Sequence, residues 1–267
     1  MKLTIQIVNF RSRHYLERCL FSISENLPAE IEAEVLLVNN DENPLDEFSN
    51  KLKGKCSLRI LEIRKNIGFG KAHNAGFKSS RGKYILFLNP DTQILPGALQ
   101  AMLDVFEKDH SVGLAGPLLV GAAGKIQPDC FGTRKTPLSP LKRKIFGFDE
   151  QRSGARTFET DWISGGAMFA RRDVFDKLGG FDERFFMYFE DVDLCYRAKQ
   201  LGHKIAVNSD ARIFHESGKS FESEREKKRH YYASQNYYFR KHFGPVSAAI
   251  VKLVRLPYYV KNVYLKR

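Results

Sequence analysis

Apolar and polar positions along the chain fall into an alternation. Leu3 to Val8 is a short apolar run, and Leu16, Leu20, Ile23 and Leu27 then recur near one face of a helix that Pro28 ends. Val35 to Val38 and Leu58 to Ile63 read as strands. A Gly-rich turn leads into a helix near Gly70 to Ser80, and Tyr84 to Leu88 has the unbroken apolar character of a strand covered on both faces. A helix from about Pro96 to Lys108 and a strand around Val112 to Leu119 continue the series. Gly121 to Thr160, with Gly, Pro and five cations between Arg134 and Lys144, predicts a loop excursion. Regular structure resumes with Trp162 to Ala170, a helix from Asp173 to Leu178, the turn Gly179-Gly180, a helix beginning near Glu190 and a late strand ending Ile213-Phe214. The pattern is that of an α/β fold, a mostly parallel sheet with crossover helices.

With 267 residues the chain can bury roughly 70 to 75% of its unfolded surface, so it needs neither a disulfide nor a metal to fold. Cys19, Cys56, Cys130 and Cys195 make no CxxC pair and read as reduced thiols. The apolar run before Asn9 and Arg11 is too short for a secretory signal, and no stretch reaches the roughly 18 to 20 apolar residues of a spanning helix. A cytoplasmic location is therefore expected. The formal charge of +12 is concentrated in the tail: Lys219 to Arg267 carries 12 basic and 3 acidic residues, which leaves only +3 for the rest. After Glu226 there is no acid, and aromatic residues from Tyr231 to Tyr264 are interleaved with Lys and Arg. This mixture suits an anionic lipid interface or, equally, a helix packed on the body by its apolar side. Nucleic acid is not expected as a partner, because no binding-module signature accompanies the charge.

In open α/β sheets ligands bind beyond the carboxyl ends of the strands. The polar residues there are Asn9, Asn39-Asn40-Asp41, Asn66-Ile67-Gly68-Phe69-Gly70, Asn89-Pro90-Asp91 and His215. Pro90 fixes its own φ and extends Asn89, so Asp91 emerges displaced from the strand axis. A carboxylate so placed can hold Mg²⁺ or Mn²⁺ on a diphosphate, or the tripeptide can simply turn and cap a helix. Glu190-Asp191-Val192-Asp193 puts three carboxylates in one first helical turn. The helix dipole accounts for them, yet their mutual repulsion would also raise a pKa toward that of a general base. Gly68-Phe69-Gly70 is no dinucleotide fingerprint, since His73 stands where the third glycine belongs.

Read together, Ile7-Val8-Asn9-Phe10, Asn66 through Gly76, Phe87 through Thr92, Trp162 through Met168, Gly179 through Leu194 and Phe214 through Ser220 resemble family 2 glycosyltransferases, the inverting enzymes of GT-A fold, and within them the rhamnosyltransferase-like branch. The resemblance implies a GT-A domain over 1–220, with 221–267 as a basic, aromatic, helical tail able to associate with a membrane. It implies Asp91 and His215 as ligands of a divalent metal, Mg²⁺ or Mn²⁺. Asp191 would be the catalytic base, with Glu190 the neighbour able to share the role. Asn9, Asn39, Asn66, Gly68 and Asn89 would meet the nucleotide donor, and Trp162, Gly165 and Gly166 would line the sugar and acceptor pocket.

The family usually has Asp where this chain has Asn39, whose carbonyl can accept a hydrogen bond from a pyrimidine base but carries no charge. The implied activity is metal-dependent, inverting transfer of a sugar, rhamnose or another deoxyhexose, from a dTDP- or UDP-linked donor to a cell-envelope glycan on a lipid carrier. The protein is then expected to sit peripherally on the inner face of the cell membrane. Two other classes remain: a nucleotidyltransferase, which would need glycines after the first strand that Asn9-Phe10-Arg11-Ser12-Arg13 lacks, and a noncatalytic nucleotide-sugar or glycan-binding protein, made plausible by Asn39.

Overall fold

The computed structural model describes residues 1–52, 56–137, 156–216, 223–260 and 263. The cations Lys142, Arg143 and Lys144 and the Ser217 to Ser220 end of the last motif lie outside these residues. The first half follows the alternation read from the sequence: β1 (Leu3–Asn9), α1 (Arg13–Asn26), β2 (Ala33–Asn39), β3 (Ser57–Glu62), α2 (Phe69–Ser79) and β4 (Tyr84–Leu88). β1, β2 and β4 are buried at every position. They pair in parallel in the order β3-β2-β1-β4, with their carboxyl ends on one edge.

The second half is β5 (Thr92–Ile94), α3 (Ala98–Lys108), β6 (Val112–Val120), β7 (Phe131–Gly132), β8 (Thr157–Thr160), β9 (Trp162–Ile163), β10 (Ala167–Arg171), α4 (Arg172–Lys177), α5 (Glu190–Gln200), β11 (Lys204–His215) and α6 (Glu224–Val260). Here the sheet becomes mixed. β10 runs antiparallel between β4 and β6, β11 is parallel to β6, and β5 and β8 each pair antiparallel with β11. The run from Trp162 to Ala170 is thus two strands, broken at Ser164-Gly165-Gly166. The main sheet is covered on both faces. Leu16, Leu20, Met102 and Phe106 of α1 and α3 pack on one side, and Phe175, Leu194, Tyr238 and Phe239 of α4, α5 and α6 on the other. β10 supplies both layers by simple alternation, Phe169 to the first and Met168 and Ala170 to the second.

α6 is a helical hairpin rather than one rod. Gly244, with φ 82° and ψ 170°, breaks it, and Pro245 follows. The arm before Gly244 belongs to the body, with Tyr238 and Phe239 buried in the second core. The arm after it folds back, so that Arg255 Nη1 donates to the Tyr232 carbonyl at 3.2 Å and to Gln235 Oε1 at 2.5 Å, and Tyr259 stacks edge-on against Tyr232 at 5.3 Å.

Candidate active site

The carboxyl edge of the sheet opens into a cavity of about 250 Å³ lined by Asn66, Gly68, Asn89, Asp91, Gly165, Gly166, Glu190, Asp191 and His215, among others. Nine of the twelve residues singled out from the sequence therefore share one cleft.

Asp91 and His215 are 124 residues apart in the chain, and strand pairing joins them. β5 pairs antiparallel with β11 so that Thr92 stands opposite His215, which sets the preceding Asp91 beside the imidazole. Asp91 Oδ1 lies 3.4 Å from His215 Nε2, both side chains nearly buried. Gln127 orients the ring: its Nε2 donates to the His215 carbonyl at 2.5 Å, which leaves its Oε1 to accept from His215 Nδ1–H at 2.9 Å. The proton is thereby placed on Nδ1. In the neutral ring this leaves the lone pair on Nε2, which faces a carboxylate oxygen and can accept from Asn89 Nδ2 at 3.4 Å. Two acceptors facing each other across 3.4 Å form a donor pair that suits a divalent cation. Among the described residues no three His, Cys, Asp or Glu side chains gather as a metal site. A metal here would thus have two protein ligands, with phosphate and water oxygens completing its shell.

Asp191 and Glu190 open α5. Phe189 and Tyr188 before them have φ of 67° and 69°, a left-handed pair of bulky residues that costs of order 1–3 kcal/mol each. Packing against α6 holds them: the Phe189 and Tyr188 rings lie 5.4 and 5.8 Å from that of Tyr231, and Ser234 Oγ donates to the Met187 carbonyl at 2.7 Å. Asp191 Oδ2 accepts from the Gly165 N–H at 2.9 Å and Oδ1 from the Val192 N–H at 2.8 Å. Burial raises its pKa, and these two bonds with the charge of Lys135 draw it back only in part. Glu190 is more deeply buried, and its Oε2 has no hydrogen-bond partner. Burial, then repulsion from Asp191, pushes its carboxyl well above the usual range. With two N–H donors on Asp191 and an unpartnered oxygen on Glu190, the pair favours its negative charge on Asp191.

Glycines set the distances between these groups. A methyl on Gly166 would come within 3.4 Å of His215 Cε1, while the neighbouring Gly165 holds Asp191, so one dipeptide touches both chemical ends of the cleft. Gly68 has φ 92°, and a Cβ there would lie 2.7 Å from the Phe186 carbonyl oxygen. Asn66 and Asn40 brace this loop, Asn40 Nδ2 donating to Asn66 Oδ1 at 3.1 Å and Asn40 Oδ1 accepting from the Ile67 N–H at 3.0 Å.

Three expected residues are not on the cleft wall. Asn39 is fully buried, with Oδ1 accepting from Asn9 and Nδ2 donating to the Asn43 carbonyl and to Glu62, so its side chain is bonded within the protein. Asn9, bonded to Asn39 and Ser12, borders an adjoining hollow of about 570 Å³ with Phe10, Arg11, His14 and Asp41. Trp162 lies behind the wall, its Nε1 donating to the Thr133 carbonyl and its ring 4.2 Å from Lys135 Nζ. His73, at the position of the missing third glycine, is buried and neutral, its pKa pushed down to about 3 by burial. Gln127 and Lys227, the latter brought to the cleft by α6, stand in none of the sequence motifs.

A family model described as glycosyltransferase like family 2 matches residues 2–233. The chain belongs to this family. It is 28% identical over 242 residues to an N-acetylglucosaminyl-diphospho-decaprenol L-rhamnosyltransferase of Mycobacterium tuberculosis, covering 82% of this chain and 77% of that one. It is 25% identical to the rhamnosyltransferase WbbL of Escherichia coli, covering 81% of this chain and 85% of that one. Among solved structures, GalNAc-T7 with UDP, GalNAc and Mn²⁺ superposes with a TM-score of 0.67 at 16% identity, over 98% of this chain but half of the other. S. aureus TarS 1-349 with UDP gives 0.63 at 16% identity, over 98% and 73%. The glycosyltransferase fold of this chain is accordingly the GT-A arrangement expected from the sequence.

Proposed function

We propose that this glycosyltransferase moves a sugar, rhamnose or another deoxyhexose, from a dTDP- or UDP-linked donor to a hydroxyl of a cell-envelope glycan on a lipid carrier, inverting the anomeric centre. The observation that carries the reading is the joining, by Gly165-Gly166, of a carboxylate base and an Asp–His donor pair within one cleft. The rhamnosyl relatives support the choice of sugar and of a lipid-linked acceptor.

Asp191 takes the proton of the acceptor hydroxyl, its two N–H donors keeping it ionised until then. Burial and the neighbouring Asp191 disfavour a second negative charge on Glu190, where the attacking oxygen must approach. Asp91 and His215 would hold a divalent ion, the lone pair of Nε2 kept available by Gln127. Once bound, the ion would neutralise the charge that develops on the departing diphosphate. Attack in line with that departure inverts the sugar carbon without a covalent intermediate. Asn66, Gly68 and Asn89 shape the donor side, and Gly165 and Gly166 leave room for the sugar. The protein would work peripherally, on the membrane that carries its acceptor.

A panel of nucleotide sugars with Mn²⁺, read as shifts in unfolding temperature, tests the donor assignment. A donor at 100 times its Kd stabilises the fold by about 2.7 kcal/mol. The dTDP-deoxysugars should give the largest shifts, with UDP-sugars next; purine-linked sugars alone giving shifts would reject the assignment.

A further inference from the structure

We propose that the arm of α6 beyond Gly244 is a docking face for an anionic lipid surface, built from an apolar stripe with flanking cations. The inference rests on the proposal of a lipid-carried acceptor and says which surface of the protein meets that membrane. Val246, Ile250, Leu253 and Val254 are 72, 53, 71 and 65% exposed, at the i, i+4, i+7, i+8 spacing of a single helix face. Of the eleven large hydrophobic residues exposed among the described residues, seven fall on this arm. Scattered exposed apolar residues need no explanation, but a contiguous set marks an interaction surface. The opposite side of the arm is already used: Val251 is buried in the second core, and Arg255 reaches back to Tyr232 and Gln235. The stripe therefore points away from the body.

Charge selects the occupant. Residues 245–267 contain no acid and, besides Arg255, four Lys and Arg. A second copy pressed onto this face would bring like charges together, whereas anionic headgroups would meet the cations as the apolar side chains enter the acyl boundary. Among the described residues no helix is long and apolar enough to cross a membrane. With Lys252 and Arg255 on it, the arm would lie in the interface plane. The preceding arm supplies Lys227 to the cleft and holds Met187, so the docking face and the cleft wall share one hairpin.

The test is cosedimentation of the full chain with vesicles of mixed phosphatidylglycerol and phosphatidylcholine, against phosphatidylcholine alone, comparing wild type with Ile250→Asp/Leu253→Asp. Wild type should partition onto the anionic vesicles, and less so in high salt. The double variant should lose at least about tenfold in partition, because it removes two apolar anchors. Its unfolding temperature in lipid-free buffer and its response to UDP with Mn²⁺ should match wild type; should the aspartates disturb the fold, Ile250→Ser/Leu253→Ser carries the same comparison. Equal partition of variant and wild type, or no vesicle binding by wild type, overturns the proposal. So does a lipid-free dimer that the double variant turns into monomer, which would assign the stripe to a second copy. The UDP response reads the transferase assignment and vesicle partition reads the docking face, so either can fail without the other.

Discussion

Gln127 shows how one uncharged side chain governs a charged site. Its amide is locked by the His215 carbonyl, and that lock determines which imidazole nitrogen bears the proton and which faces Asp91. Gln127→Ala should raise the Mn²⁺ concentration needed for half of the UDP-dependent thermal stabilisation by about tenfold, the scale on which partners behind metal ligands act. Gln127→Glu, which keeps an acceptor for Nδ1–H, should restore much of it. An unchanged metal requirement in Gln127→Ala would remove this role. No motif marks Gln127, which lies in a glycine-rich loop, and only folding shows its partner. Asn39 presents the reverse case. Its place at a strand end suggested a ligand contact, but position along a strand does not say whether an amide turns outward or, as here, is consumed by Asn9, Asn43 and Glu62. The shared cleft position of Asp91, Glu190, Asp191 and His215 was legible because each follows a strand or opens a helix, positions that apolar patterning marks.

At the scale of elements, the parallel half of the sheet could be read from the sequence because its strands are unbroken apolar runs separated by helices. β5 could not: it has three residues and exists through its pairing with β11. The pairing of the inner arm of α6 with α5 was equally hidden, since it depends on contacts between distant residues. Asp193 of α5 is fully buried and held by Arg197 Nε at 2.7 Å, Lys241 Nζ at 2.5 Å and His242 Nε2 at 2.7 Å, and Lys241 also reaches Asp182 at 2.7 Å. Burial alone would raise the Asp193 carboxyl, but the His242 bond and the charges of Arg197 and Lys241 outweigh it and hold the group below the usual range. A depressed pKa contributes stability above the unfolded value, near 4, and that contribution is lost as pH falls through the folded value. Lys241→Met should therefore cost roughly 2–4 kcal/mol in urea unfolding at neutral pH, with the gap from wild type closing below about pH 4. A gap that stays constant with pH would show that Lys241 acts through packing instead.

For the whole molecule, the charge of +12 has two destinations. Some cations are structural, as Lys241 and Arg255 show. Others fall on the outer arm or beyond it, where the sequence has no acid to pair with them. The tail read as one segment is thus two arms with different work, one bracing the cleft and one turned outward. In the proposed reaction Asp191 would activate the acceptor while Asp91 and His215 would hold an ion on the donor. The most direct measurement is release of nucleoside diphosphate from the donor selected by the panel, with acceptor present, comparing wild type, Asp191→Asn and chelator-treated wild type. The account predicts that Asp191→Asn loses about 10²- to 10⁴-fold in kcat while its donor-induced thermal shift persists, and that chelation abolishes release until Mn²⁺ or Mg²⁺ is returned. Release at the wild-type rate by Asp191→Asn, or by the exhaustively chelated enzyme, would contradict it.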